Sequence, residues 1–390
     1  MNLEERIIRR TRTTGGTRLL RASEALNPVA HPVEPTGRGL VIEQLLDALD
    51  PIFDGDPPPD CYVWGPKGTG KSVVVQGVFD HLDSLVGRTT GRIYTSTRPE
   101  PAADLSFVYV DGRQAKTGFA LLHAVLDALT SRPVPKQGVG AATMQRRLAD
   151  RLDPSNRHLV VAVDHVGEPE TLSVETVCEQ FEPFEASVSV VAVGRDAPET
   201  AALDCFAAAH TVECSPYRRH TLIEVLTSRQ TDGLISDAVS HDQLRALADW
   251  AGGDAHDALA ALFSSGLIAD RDSLDRIDGA ALDAGMAAVP QPCISLGRVL
   301  ALPETRQQVL SRLTGLPETA RNSVRTAADA IDGDRIDLSR ATIERVLYEL
   351  AEAGIVRRVK LDEATQVGRP PSRLEPRFPT VVFDHLLSAD

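Results

Sequence analysis

The chain has 390 residues, with 41 Lys and Arg against 55 Asp and Glu and a formal net charge of −14; this length accommodates two or three domains with cores of their own. No apolar run reaches transmembrane length, and Met1 to Arg21 is polar and arginine-rich with no apolar segment of a secretory signal, so neither membrane insertion nor export is expected and a cytoplasmic location is. Only five of the 41 basic residues are lysine; an acidic, lysine-poor surface suits a halophilic cytoplasm, with an ordinary acidic protein from a GC-rich genome as the competing explanation.

Residues 1–28 read as a flexible basic tail carrying Arg6, Arg9, Arg10, Arg12, Arg18 and Arg21, either a phosphate-backbone contact or a solvated end. Pro28, Pro32 and Pro35 make an extended approach, and Gly39 to Leu49 places apolar residues at helical spacing before Pro51. Next, Tyr62-Val63-Trp64 enters Gly65-Pro66-Lys67-Gly68-Thr69-Gly70-Lys71-Ser72, and Val73 opens a second apolar run. This is the strand, loop and helix start of a P-loop. Glycines at 65, 68 and 70 let consecutive backbone N–H groups face a polyphosphate, with the positive end of the following helix behind them. Lys71 is expected to span the β- and γ-phosphates of ATP, and Ser72 to offer a hydroxyl to Mg²⁺.

Strand and helix patterns then alternate, as a parallel α/β sheet requires. Leu105 to Val110 reads as a strand followed by Asp111-Gly-Arg-Gln and a helix over Gly118 to Leu129. A helix over Ala141 to Leu152 carries Arg146 and Arg147, a second DNA contact or a plain surface helix. His158 to Val163 is a strand ending in Asp164, and Val188 to Val193 is another ending in Gly194-Arg195-Asp196. Strand carboxyl ends are where such a sheet holds its ligand, so Asp164 falls on the P-loop edge.

From Pro216 the pattern is helical: His220 to Asp232, Asp242 to Ala251 and Asp254 to Ser264, with Pro290 and Pro292 as a linker. The last segment has the periodicity of a winged helix-turn-helix. Helices are expected over Glu304 to Leu313, Thr319 to Ala330 and Arg340 to Ala353, then a hairpin of Ile355 to Leu361 and Thr380 to Phe383 with Gln366 to Arg373 between them. Pro303 to Val381 holds 13 Arg and Lys against 12 Asp and Glu, a balance of +1 that leaves −15 for the rest of the chain. Any DNA contact belongs on that near-neutral module. Arg340 and Arg345 are the candidates for a major groove, and Arg369 and Arg373 in the Gly-Arg-Pro wing for a narrow minor groove. A helical bundle that contacts protein is the other reading. The five cysteines, Cys61, Cys178, Cys205, Cys214 and Cys293, are scattered without metal-ligand spacing and are expected to be free thiols.

These pieces, in this order, resemble the archaeal replication initiators of the origin-recognition and cell-division-control (Orc/Cdc) type within the AAA+ class. The likeness rests on Gly55-Asp-Pro-Pro58 before the P-loop and Val108-Tyr-Val-Asp-Gly-Arg-Gln114. It rests also on Ser215-Pro-Tyr-Arg-Arg-His-Thr-Leu222 through Arg229, and on Gly253-Asp-Ala-His-Asp-Ala-Leu259. It implies an AAA+ domain over 29–214, a helical lid over 215–290 and a winged-helix domain over 294–390. It implies ATP or ADP with Mg²⁺, held by residues 65–73 with Tyr217 and Arg229 and by Ser72 and Asp164 for the metal. Double-stranded DNA at a replication origin is the implied partner, with replication proteins beside it.

Four departures from the family pattern stand out. Where a glutamate activates water, His165 follows Asp164; where an asparagine places that water, Arg195 stands. His256 replaces a lid arginine, and no Arg or Lys lies between Asp196 and Tyr217 for a finger. Each loss of this kind can cost a factor of about 10³ in rate. The implied protein holds nucleotide and hydrolyses it slowly or not at all, with His165 or Glu168 as substitute bases and Arg195 and His256 sensing the γ-position. A nucleotide-gated transcription regulator, and an ATPase whose winged module binds protein, are the alternatives.

Overall fold

In the computed structural model, which describes residues 19–389 apart from 33, 55, 90–103, 131, 137, 153–156, 207–209, 333–337 and 361–371, the apolar runs become one parallel sheet. Gly55, the arginines through Arg18, Arg369 and most of the expected wing loop lie outside the described residues. Two compact units are present, His31–Pro216 and Met1–Ala30 with Tyr217–Asp390.

The first unit holds strands β1 (Cys61–Trp64), β2 (Asp104–Asp111), β3 (Arg157–Val166), β4 (Val188–Gly194) and β5 (His210–Glu213) in the order β2-β3-β4-β1-β5. All pairings are parallel. Helices α1 (Gly39–Leu49) and α2 (Lys71–Thr89) cover one face, and α3 (Gly118–Ala128), α4 (Ala141–Leu152) and α5 (Val174–Phe181) the other. Alternation along β3 explains the two cores: Val161 and Val163 pack with Leu121, Met144 and Phe181, while Val160 and Ala162 pack with Leu45, Val75 and Phe79. A sheet buried on both faces reads as a continuous apolar run, which is why these strands were visible in sequence. Cys178 and Cys205 form a disulfide with Cα atoms 6.3 Å apart, correcting the expectation of five free thiols; Cys61, Cys214 and Cys293 are free and buried.

In the second unit the described part of the expected tail is packed: Leu19 is fully buried, Leu20 bridges Leu234, and a short helix covers Ser23–Leu26. Helices α6 (Arg219–Gly233), α7 (His241–Ala251), α8 (Ala255–Arg271) and α9 (Gly279–Ala287) follow. Ser240 closes a capping box on α7, and Asp254 and Asp278 cap α8 and α9, satisfying backbone N–H groups that a helix start leaves unpaired. The C-terminal elements are α10 (Leu296–Leu300), α11 (Glu304–Gly315), α12 (Val324–Asp332), α13 (Arg340–Glu352), β6 (Val356–Lys360), β7 (Ser372–Pro376) and α14 (Thr380–Ala389). One core runs from Leu262 and Phe263 of α8 through Leu310, Leu347 and Phe383.

The hairpin β6–β7 is antiparallel, with Val356 opposite Pro376 and Lys360 opposite Ser372. Its second strand is therefore Ser372–Pro376, and Thr380 to Phe383, expected as that strand, begins α14 instead. The β-branched run is overridden by burial: Val382 and Phe383 are fully buried, and Phe383 meets Phe378 edge to face at 5.0 Å. The expected helix from Thr319 is a 3-10 turn over Glu318–Arg321 followed by α12.

Candidate functional site

The phosphate loop joins β1 to α2, at an interior strand flanked by β4 and the edge strand β5. Gly65, Gly68 and Gly70 have φ of 145°, 71° and 77°, backbone conformations that side chains disfavour. At Gly65 there is also no room, since a Cβ would lie 2.3 Å from the Cys214 carbonyl oxygen. Lys71 is buried at the first turn of α2; its Nζ donates to the carbonyls of Gly65 and Pro66, both at 2.7 Å. Burial pushes this ammonium down to about 8, against partial support from Cys214, Asp164 and Glu168. Thr69 Oγ1 donates to the Pro66 carbonyl at 2.9 Å, and Cys214 Sγ to the Thr69 carbonyl at 2.9 Å, fixing the loop from both sides.

Asp164 is buried at the carboxyl end of β3 and hydrogen-bonded with Ser72. Burial works to raise its carboxyl, but His165 and hydrogen bonds from Ser72, Tyr109 and the His165 backbone outweigh that, holding it below the usual range. The Tyr109 hydroxyl donates to Oδ2 at 2.5 Å and the His165 N–H to Oδ1 at 2.6 Å. An ionised carboxylate and a hydroxyl in contact form the hard-oxygen donor pair that Mg²⁺ takes, so these two residues fit the ion.

Beyond Asp164 the strand is irregular. The β3–β4 register shifts between Asp164 and Val166, and His165 has φ of 62°, left-handed for a residue with a side chain. Its ring Nδ1 lies 3.5 Å from Asp164 Oδ1 and 3.6 Å from Glu168 Oε1. Glu168, 6% exposed, receives Arg113 Nε on Oε2 at 2.9 Å and Arg113 Nη2 on Oε1 at 3.0 Å. Arg195 Nη2 is 2.5 Å from the same Oε1. Burial pushes Glu168 up, yet His165, Arg113 and Arg195 together hold its carboxyl far below the ordinary range. A carboxylate so held is a poor proton acceptor, which removes Glu168 as a substitute base. Sequence reasoning missed Arg113 and Tyr109; the Val108-to-Gln114 phrase contained both, but only the β2–β3 pairing, with Asp111 opposite Asp164, brings them to this edge.

The remaining expected ligand residues belong to the second unit. Tyr217 packs on its core and donates its N–H to the Gly253 carbonyl at 3.0 Å. Arg229 Nη2 donates to the carbonyls of Asn27 and Ala30 at 2.7 and 2.8 Å, tying down the amino-terminal segment. His256 is buried, with Nδ1 2.9 Å from Asp257 Oδ1 and Nε2 accepting the Leu296 N–H at 2.9 Å. Both ring nitrogens are thus committed inside this unit, correcting the expectation of a γ-phosphate sensor. His256, Asp257 and Cys293 cluster with metal-ligand atoms within 4.8 Å, but the Leu296 hydrogen bond fixes the imidazole proton on Nδ1, which disqualifies that atom as a ligand.

The expected DNA contacts that are described carry carboxylate partners. Arg340 pairs with Asp329 at 2.5 Å and Glu344 at 3.1 Å, and Arg345 with Glu349 at 2.7 Å. Arg373 pairs with Glu318 and, at 2.5 Å, with Glu375, which Arg357 also meets at 2.6 Å. Among the described residues no helix is long and apolar enough to cross a membrane.

Residues 34–193 match the family described as "AAA ATPase domain". The chain is 24% identical to ORC1-type DNA replication protein 1 of Sulfurisphaera tokodaii over 67% of its own length and 65% of that protein's. It is 26% identical to ORC1-type DNA replication protein 1 of Sulfolobus acidocaldarius over 67% of its own length and 64% of the relative's. It thus spans just under two thirds of these two relatives. A haloarchaeal relative, ORC1-type DNA replication protein 9 of Halobacterium salinarum, is 25% identical over 66% of this chain and 69% of its own. The Aeropyrum pernix ORC1 protein solved in complex with DNA shares the fold, with a TM-score of 0.62 at 19% identity over 96% of this chain and 98% of that one. So does the Aeropyrum pernix ORC2 protein in its ADPNP-ADP complexes, with a TM-score of 0.56 at 16% identity over 95% and 100%. With its phosphate loop, its β2-β3-β4-β1-β5 parallel sheet and these relatives, the chain carries an AAA ATPase domain over residues 34–193 and is similar to the ORC1-type DNA replication proteins.

Proposed function

We propose that this chain binds ATP or ADP with Mg²⁺, binds duplex DNA as replication initiators do, and hydrolyses ATP slowly or not at all. The reading divides it into an AAA+ domain over 29–214, a helical lid over 215–290 and a winged-helix domain over 294–390. One observation carries the nucleotide part: the turns at Gly65, Gly68 and Gly70, the buried Lys71 ammonium and the Ser72–Asp164 contact converge at one sheet edge. The backbone amides of 65–73 and Lys71 would hold the phosphates, while Ser72 and Asp164 would hold Mg²⁺, which supplies charge neutralisation for the polyphosphate.

Among the described residues, a histidine where a glutamate is expected and the double pairing of Glu168 support slow turnover. A water attacking the γ-phosphate needs an oriented proton acceptor. His165 occupies that position on a left-handed backbone, and the nearby Glu168 is bonded by two guanidiniums. The DNA part rests on the ORC1-type relatives and on helices α11, α12 and α13 followed by the β6–β7 hairpin, with replication proteins as further partners. Single-turnover measurement with labelled ATP tests the hydrolysis claim: turnover at the rate of an intact AAA+ ATPase, lost in Lys71→Ala, would overturn it.

A further inference from the structure

We propose that Tyr348, with Arg358 stacked on its ring, reads base edges in the major groove of duplex DNA; this rests on the DNA-binding reading above. Helix α13 buries Ile343, Val346, Leu347 and Leu350, so the opposite stripe is Ala341, Arg345, Tyr348 and Glu352. Tyr348 stands in the middle of that stripe and is 46% exposed. The Arg358 guanidinium, from β6, lies 5.5 Å from its ring centroid, a cation–π contact that holds both side chains in one orientation.

Charge pairing separates this pair from four neighbouring arginines. Arg340, Arg345, Arg357 and Arg373 each meet a carboxylate of the chain, and each must surrender it to reach a phosphate. Among the described residues no carboxylate pairs with Arg358. Its contact with Tyr348 leaves the guanidinium edge available, and the phenol offers a ring edge for a thymine methyl and a hydroxyl that donates or accepts. Tyr348 and Arg358 therefore meet DNA without breaking an ion pair. The arginine supplies phosphate attraction and the tyrosine sequence discrimination.

The test uses the full chain as wild type, Tyr348→Ala, Tyr348→Phe and Arg358→Ala. Each is equilibrated with a duplex library randomised over about two helical turns, the bound fraction is sequenced, and affinity for a random-sequence duplex is followed against KCl. Tyr348→Ala is expected to reduce enrichment about fivefold or more at one or two adjacent positions with the salt slope unchanged. Tyr348→Phe keeps most of the enrichment. Arg358→Ala weakens binding to all sequences and reduces the salt slope by about one. Enrichment in Tyr348→Ala equal to wild type, or a wild type that binds duplex without preference, overturns this assignment alone. A wild type that retains no duplex at any salt, and instead captures a protein partner through this face, overturns the DNA reading on which it rests.

Discussion

Replacing Arg113 with methionine tests whether Glu168 is locked at the sheet edge. The guanidinium gives that carboxylate two hydrogen bonds, at 2.9 and 3.0 Å, between side chains 7% and 3% exposed. Hydrogen bonds to a charged group contribute about 1.5–3 kcal/mol each, and stripping one partner from a buried pair costs about 3–5 kcal/mol in all. Arg195 remains, but its side chain is 36% exposed, and a half-exposed contact offsets no more than about 1 kcal/mol. Urea unfolding at neutral pH should therefore show Arg113→Met less stable by about 3 kcal/mol. The pH dependence identifies the cause. Burial raises the Glu168 carboxyl, while His165, Arg113 and Arg195 lower it further, so its native value lies below the ordinary 4.5. A depressed native carboxyl stabilises fully above the unfolded value and loses that stabilisation as pH falls through the native one. The deficit of the variant should thus shrink as pH drops from about 5 towards about 3, and Glu168→Gln combined with Arg113→Met should cost less than the sum of the two. A deficit under about 1 kcal/mol, or one equal at both pH values, would refute the reasoning.

Gly65→Ala must place a Cβ 2.3 Å from the Cys214 carbonyl at a φ of 145°, so it should lower thermal stability by about 1–3 kcal/mol and abolish the melting shift produced by ADP. Nucleotide affinity should fall above pH about 8, where burial neutralises the Lys71 ammonium of the free protein; the bound anion restores that charge, so binding takes up a proton, and a pH-independent Kd between pH about 7 and about 9.5 would contradict the placement. Glu375→Gln removes the carboxylate that Arg357 and Arg373 share. It should tighten duplex binding several-fold and steepen its dependence on KCl by up to about one, and an unchanged isotherm would remove the hairpin from the DNA face.

Much of the first unit was legible because its information is local. The glycines of residues 65–70 and the apolar strands beside them allow few alternatives, and the position of Asp164 at the carboxyl end of a strand is enough to put it on the phosphate-loop edge. Local signal misled at Thr380 to Phe383, where two valines and a phenylalanine spell a strand but Val382 and Phe383 fill a helical core. The true second strand, Ser372–Pro376, has no β-branched residue, and its first two residues fall in the expected loop. Leu19 and Leu20 could not be told from a tail, because two leucines carry no periodicity. The His256 assignment failed for another reason: a position matched to a family pattern says nothing of which hydrogen bonds its new side chain makes. The Arg113–Glu168–Arg195 cluster joins residues from three separate strand ends and is visible only once the sheet is assembled.

The loop at 65–73 as a polyphosphate cradle is tested most directly by titration calorimetry of the purified chain, stripped of nucleotide, with ATP or ADP and Mg²⁺ in molar KCl. Saturable one-to-one uptake with a Kd on the order of micromolar, lost in Lys71→Ala while that variant's unfolding transition stays intact, is the result this account predicts. Absence of uptake by the folded wild-type chain would contradict it.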